Sequence, residues 1–157
     1  MSDHRRPHRS HDADPSRAGN DWAAQRTEAA RIHQERLQAR RDAEHRRAEE
    51  LIAEFIEAAR RADLPSTALR VRGYGGRGSA RTPLRGWYLR TDASSGLSTE
   101  GDFYVLSAPL SVLDRIRGVH PEPSRPPLVL GAGGKDGESL DLTEALERLL
   151  PGWRTGR

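Results

Sequence analysis

A long helix is the first element that the hydropathy pattern predicts. Residues 22–62 contain no glycine and no proline and are dominated by Ala, Arg, Glu, Gln and Leu, which favour helices. Asn20 or Asp21 is a suitable N-cap, and oppositely charged residues recur three or four positions apart. The helix should close at Leu64-Pro65, because proline disfavours helical geometry in the residue before it.

The two ends of this helix differ in apolar content. Up to residue 50 no heptad seam of apolar residues appears, so this part is predicted to be a solvated polar helix and not a coiled coil. From Leu51 onward one apolar stripe follows helical spacing and predicts an end that docks on a domain. The stripe consists of Leu51, Ile52, Phe55, Ile56 and Ala59.

Short elements follow the long helix. Residues 69–72 alternate apolar and charged side chains, as in a half-buried strand, and residues 87–90 give a second strand. Residues 73–86 read as a loop rich in glycine and arginine. Further short strands are predicted at 97–99 and 103–106, and an apolar strand at 128–130 is predicted to be central in the sheet.

Two short helices complete the pattern. Pro109 followed by Leu110, Leu113 and Ile116, with Gly118 after them, predicts one helix. Asp141 and Glu144 resemble a capping box that opens a last, leucine-rich helix, which Pro151-Gly152 ends.

The sum is an α+β fold: a long N-terminal helix, then a small, largely antiparallel sheet of four or five strands with helices on one face. The predicted divisions are a disordered basic tail at 1–19, a solvated helical arm at 20–50, a compact domain at 51–153 and a tail at 154–157. The other face of the sheet is predicted to be open.

Composition narrows the class of protein. Hydrophobic residues make up 34% and charged residues 31% of the chain, and the apolar deficit lies in its first 50 residues. There is no cysteine, no apolar run of membrane-spanning length and no secretory signal pattern, so a cytoplasmic protein without membrane attachment is expected. All basic residues except Lys135 are arginine, and residues 64–91 hold six arginines and no acid.

A basic sheet face is one candidate site. If Leu69, Val71, Trp87 and Leu89 point inward, the residues between them point outward, where arginines would contact phosphate and a tyrosine would stack on bases. This arrangement favours binding of single-stranded DNA or RNA. The proposed contacts are Arg70, Arg72, Arg77, Arg81, Tyr88 and Arg90.

A glycine-rich loop is a second candidate site. Residues 131–138 follow a strand, and Gly133, Gly134 and Lys135 would meet an anion or small ligand there. The P-loop pattern fails, since Val129 stands where its first glycine belongs and Asp136 replaces the Ser or Thr. A hairpin turn over 135–137 is the alternative.

Other chemistry finds little support in the sequence. His4, His8 and His11 lie close together without the fixed geometry of a metal site, and no serine or histidine has a catalytic context. No metal, no cofactor and no enzymatic activity are therefore predicted.

The favoured function is a non-catalytic protein-interaction module. Its projecting charged helix would reach a protein partner or a second copy of the chain, and Trp22, apolar on an exposed stretch, is the predicted contact. Nucleic-acid binding through the sheet face and ligand binding at 131–138 are the two alternatives.

Overall fold

The computed structural model describes residues 15–131 and 138–156. Within these ranges the chain forms three α-helices and seven short strands. In chain order they are α1 (Pro15–Arg61), β1 (Thr67–Gly73), β2 (Ser79–Tyr88), β3 (Ser95–Ser98), β4 (Phe103–Val105), β5 (Ser107–Ala108), α2 (Val112–Arg117), β6 (Val129–Leu130), β7 (Leu140–Asp141) and α3 (Leu142–Leu149). The predicted α+β class, with a long helix before a mostly antiparallel sheet of five strands, is confirmed.

Helix α1 begins earlier than predicted. It starts at Pro15, so residues 15–19 of the predicted tail are helical, while residues 1–14 of that tail lie outside the described residues. Proline is favourable at the first helical position, because its missing N–H would have no partner there and its φ is already helical. Ion pairs of Arg31 with Glu28 and Glu35 lie along the helix as predicted.

The chain divides into two compact units, residues 1–41 and 42–157. In the first unit, the described helical residues are exposed apart from the half-buried Leu37. In the second, burial along α1 begins at Ala48, three positions before the predicted docked end. The apolar stripe from Leu51 to Ala59 is buried as its spacing predicted.

The sheet closes on itself, and the predicted open face is only partly present, since β1 exposes Arg70 and Arg72 on its outer side. Its strand order is β4-β3-β2-β1-β5, so consecutive strands β4 and β5 stand at its two ends. Leu106 lies between them and donates its N–H to Ser94 O while its carbonyl accepts from Arg72 N, both at 2.8 Å. One face of the sheet thus becomes an interior, filled by an inner cluster of Leu69, Val71, Tyr104 and Leu106.

The register of β1 and β2 explains why the predicted strand parity is wrong, because even-numbered residues of β1 lie opposite odd-numbered residues of β2 throughout the pairing. A bulge in β2 shifts this register by two residues, which leaves the alternation of faces unchanged. Ala68 pairs with Arg85 but Arg70 pairs with Arg81, so β2 advances by four residues over the distance in which β1 advances by two. Within the bulge, Thr82 Oγ1 donates to Leu69 O at 2.7 Å. The N–H of Arg70 donates to the Tyr88 hydroxyl at 2.9 Å.

The predicted inward residues therefore divide between two faces. Trp87 pairs with Leu97 on the outer face, whereas the next residue, Tyr88, pairs with Gly96 on the inner face. A Cβ on Gly96 would lie 3.4 Å from a methyl of Leu69, which places Leu69 on the inner side too. Leu69 and Trp87 are both buried, but on opposite faces.

The outer face packs against α1 and α3. Phe55 of α1 makes edge-to-face contacts with Trp87 and Trp153, with ring centroids 5.8 and 5.6 Å apart. Trp87 Nε1 donates to Pro65 O at 2.8 Å, which satisfies its buried N–H. This outer cluster is the larger of the two and also takes in Leu142, Ala145 and Leu146 of α3.

Two other predictions need correction. The loop expected at 73–86 is only a turn, because β2 begins at Ser79 and puts Arg81 on a strand. The strand predicted as central, β6, lies outside the main sheet and, among the described residues, pairs with β7, antiparallel. Helix α3 follows Asp141 as predicted, but Asp141 makes no side-chain capping hydrogen bond, so the predicted capping box is not formed. Among the described residues, no helix combines the length and apolar character needed to cross a membrane.

Candidate protein-interaction surface

Helix α2 is positioned by the residues on either side of it. Leu110 before the helix and Val119 after it pack against the inner cluster. The Val119 N–H donates to Arg81 O at 2.8 Å. Gly118, at φ +84°, approaches β2 so closely that a Cβ would stand 2.8 Å from Arg81 O. These contacts hold α2 beside β2 without burying any of its own side chains.

A capping box fixes where α2 begins. Ser111 Oγ accepts a hydrogen bond from Asp114 N at 3.1 Å, and Asp114 Oδ2 accepts from Ser111 N at 2.8 Å. Two orphan N–H groups are thereby satisfied reciprocally. The helix predicted from Pro109 starts instead at Val112, because the box places its N-cap at Ser111.

The apolar side of α2 faces solvent. Val112 is 70% exposed, Ile116 66% and Leu113 52%. At about 100° per residue these three side chains form one stripe, with Arg115 on one side of it and Arg117 on the other. Single exposed apolar residues are common on proteins, but a contiguous cluster of them marks a contact surface.

A neighbouring turn extends this surface. Gly73, Tyr74, Gly75 and Arg77 share a concavity of about 470 Å³ with Pro109, Leu110 and Arg115. Tyr74 is 61% exposed. Arg115 lies against Gly78, where a Cβ would be 2.9 Å from its Nε. We define the α2 surface as Tyr74, Arg77, Val112, Leu113, Arg115, Ile116 and Arg117.

The charge of the α2 surface is positive. It contains Arg77, Arg115 and Arg117, and the carboxylate of α2 is engaged within the helix. Hydrogen bonds from the Ser111 backbone N–H and hydroxyl lower the pKa of Asp114 below its ordinary value. Asp114 is therefore ionised near neutral pH, and its charge is directed toward the helix N-terminus.

The residues predicted to contact nucleic acid do not all share one face: Arg70, Arg72 and Arg81 are exposed on the same side of β1 and β2, whereas Tyr88 lies on the inner side. Arg70 Nε donates to Ser79 Oγ at 3.0 Å, and Arg72 Nη1 donates to Asp92 O at 2.9 Å. Tyr88 is half-buried against the inner cluster, and its hydroxyl is bonded to Arg70 N. A tyrosine platform flanked by these arginines is therefore not formed.

The surroundings of the remaining arginines of that set differ, and Arg81 is the one that pairs with Arg70. Arg90 is 15% exposed at its side chain and donates from Nη1 to Glu138 O at 2.9 Å. Arg81 is an exposed residue of β2, and Arg77 belongs to the α2 surface.

The two other predicted sites are the glycine-rich loop and Trp22. Gly133, Gly134 and Lys135 lie outside the described residues. Trp22 is 60% exposed on α1, with the Arg26 guanidinium carbon 4.4 Å from its ring centroid. In the described parts of the chain no three His, Asp or Glu side chains are grouped to hold a metal ion.

Sequence reasoning missed the α2 surface. The spacing of Leu113 and Ile116 predicted a helix but not which way it faces. One signal was present, because Ser111 and Asp114 match the capping-box spacing and the apolar stripe behind them has an arginine on each side.

Comparison with protein-family models, curated proteins and solved structures finds no match for this chain.

Proposed function

We propose that this chain is a non-catalytic protein-interaction module whose α2 surface binds an acidic, amphipathic segment of a partner protein. The observation that carries the proposal is the outward stripe of Val112, Leu113 and Ile116. Three large aliphatic side chains on a capped, anchored helix offer apolar area that loses little entropy on binding.

Charge complementarity defines the occupant. Arg115 and Arg117 border the stripe, and Arg77 lies at the adjoining concavity. A segment with apolar residues on one side and Asp or Glu at its margins would bury the stripe and pair with these guanidinium groups.

Protein fits this surface better than nucleic acid. Bases stack on aromatic rings, but the stripe is aliphatic, and Tyr74 is the only aromatic residue of the α2 surface. Binding of single-stranded nucleic acid is accordingly the competing outcome of the test.

The test uses the full chain and a designed helical peptide with leucine at positions 1, 4, 5 and 8 and glutamate at its margins. Two peptides serve as controls, one with the same composition but scrambled leucine positions and one with lysine replacing glutamate. Calorimetry should detect binding of the first peptide only, and the affinity should fall as salt rises.

Variants locate the contact. Ile116→Ser should weaken binding about tenfold or more, since a central apolar anchor contributes over 1.4 kcal/mol. Arg117→Glu should weaken it further as charge is reversed. Val105→Ser is the matched control, because Val105 is 53% exposed but lies outside the α2 surface.

Two results would reject the proposal. Equal binding of the patterned and scrambled peptides would show that the apolar stripe does not select its partner. Tighter, Ile116-independent binding of polyU would assign the arginines to nucleic acid instead.

A further inference from the structure

A separate cavity of about 410 Å³ lies in the second unit, between β4 and the segment that leads into β6. Its apolar wall is built from Phe103, Val105, Pro127 and Leu130. The segment is held in place from α1, since His45 Nδ1 bonds to Pro126 O at 2.8 Å. The size and apolar lining are those of small-molecule sites.

An unpartnered hydroxyl stands in the wall of this cavity. Ser95 is only 5% exposed, and its Oγ has no hydrogen-bond partner among the described residues. Such a group normally has a partner, because burying it without one costs about 1–3 kcal/mol. Serine side chains exchange between staggered rotamers, so the hydroxyl can turn toward a bound molecule.

The main chain of β4 adds a donor. Phe103 O accepts from Ser124 N, which shows that Phe103 directs its hydrogen-bonding groups away from β3. Val105, two residues later and opposite Ser95, must do the same, because antiparallel pairs alternate. The N–H of Val105 therefore points toward the cavity side of the strand.

Two arginines and two carboxylates, those of Asp92 and Glu138, line the cavity, so positive charge is available only locally at the guanidinium groups. Arg90 is fixed by Asp92, 3.3 Å from its Nε, and by the carbonyls of Leu130 and Glu138, while its Nη2 has no hydrogen bond to any described residue. Arg125 lines the same cavity and pairs with Asp42. Burial alone would raise the pKa of Asp92, but hydrogen bonds from Ser94 and Arg90 outweigh burial and lower it.

We propose that this cavity binds a small organic carboxylate with an apolar body. The body would occupy the space between Phe103, Val105 and Leu130, and the carboxylate would accept hydrogen bonds from the donors at Ser95 and Arg90. Charge-assisted bonds of guanidinium to carboxylate supply the selectivity.

The probe is octanoate, titrated into the full chain and followed by ¹H–¹⁵N NMR. Binding with a Kd of about 1 mM or tighter is expected for a ligand of this size. Octan-1-ol, which lacks the carboxylate, and acetate, which lacks the body, should each bind at least about tenfold more weakly. The largest shifts should fall on the amides of Ser95 and Val105.

Two variants test the site, with a matched control. Val105→Phe adds bulk at the exposed mouth of the cavity and should weaken octanoate at least about tenfold by blocking entry. Ser95→Ala should weaken it about fivefold without lowering stability, since the hydroxyl has no partner to lose. Ser98→Ala is the control, because Ser98 is equally buried in β3 but accepts from Asp102 N at 3.1 Å and does not line the cavity. It should lower stability and leave octanoate affinity unchanged.

A comparison of two ligands, N-acetyl-leucine and octanoate, distinguishes two sources of the carboxylate. N-acetyl-leucine binding more tightly than octanoate would indicate a peptide C-terminus, and the reverse order a free aliphatic acid. Equal affinities for octanoate and octan-1-ol, or undiminished octanoate binding to Val105→Phe, would overturn the proposal. Neither result depends on the α2 surface.

Discussion

Helices α2 and α3 are both short and both carry an apolar stripe at helical spacing. The stripe of α3 faces the core, whereas that of α2 faces solvent. In α3, Leu142, Ala145 and Leu146 are buried in the outer cluster. In α2 no residue is buried, and Val112 and Ile116 are mostly exposed. A stripe at helical spacing thus indicates a helix, whereas the surroundings decide whether the stripe is covered.

The surroundings of the two helices explain the difference. The outer cluster offers α3 a wide surface that includes the rings of Phe55 and Trp153. The inner cluster lies inside a closed sheet, and Leu110 and Val119 already pack against it. The stripe of α2 packs against neither cluster, which is why a partner is the occupant that we propose.

A leucine-to-alanine substitution in each helix should give the largest difference in the free energy of unfolding. Leu146→Ala, at a fully buried position, should lower the free energy of unfolding by about 2–5 kcal/mol. Leu113→Ala removes the same atoms from a side chain that is 52% exposed and should cost less than about 0.5 kcal/mol. Urea unfolding of both variants measures the difference. Similar losses would mean that α2 is covered in solution.

Disturbing the contact between α2 and β2 should have the next largest effect on the free energy of unfolding. Gly118→Ala should cost about 1–3 kcal/mol, because alanine resists a positive φ and its Cβ would collide with Arg81 O. Gly152→Ala is the control, since Gly152 also has a positive φ but its Cβ would meet only Thr155 Oγ1, at 3.4 Å. An equal cost for the two, measured by urea unfolding, would show that the contact with β2 contributes nothing.

Much of the fold could be predicted from local pattern. The helical run at 22–62, the alternation at 69–72 and the capping pattern at Asp141 each depend on neighbours in sequence, and each predicted element is present. Helix α1 begins earlier because Pro15 opens it, which apolar spacing does not indicate.

The face of each strand could not be predicted in the same way. The register between β1 and β2 decides which of their residues share a face, and it is fixed by pairing across the sheet, including the bonds made by Thr82 and Tyr88. Sheet closure through Leu106 likewise joins residues far apart in sequence. The candidate sites depended on those faces, so the α2 surface and the cavity beside Ser95 emerge only from tertiary structure.

The cap of α2 should have a smaller effect. Ser111→Ala removes the acceptor for Asp114 N and the hydroxyl that binds Asp114 Oδ2, at a cost of about 1 kcal/mol or less on so short a helix. The designed peptide should bind this variant more weakly, because part of its binding energy must then order the helix. Ser139→Ala, at an exposed position outside α2, is the control for both measurements. Unchanged peptide affinity would separate the cap from the interface.

Acid should weaken the same cap through Asp114. Because hydrogen bonds from Ser111 lower the folded-state pKa of Asp114 below 3.8, its stabilising effect is complete above that value and is lost as pH falls through the folded pKa. An NMR titration of the Asp114 carboxyl carbon should give a midpoint below 3.8, and the Ser111 amide should shift with the same midpoint. In Ser111→Ala the pKa should rise, since the hydroxyl no longer donates to the carboxylate while the backbone N–H still does. A midpoint that does not move would mean that the hydroxyl does not hold the carboxylate in solution. The position of α2 would then depend on Gly118 and on the packing of Leu110 and Val119 alone.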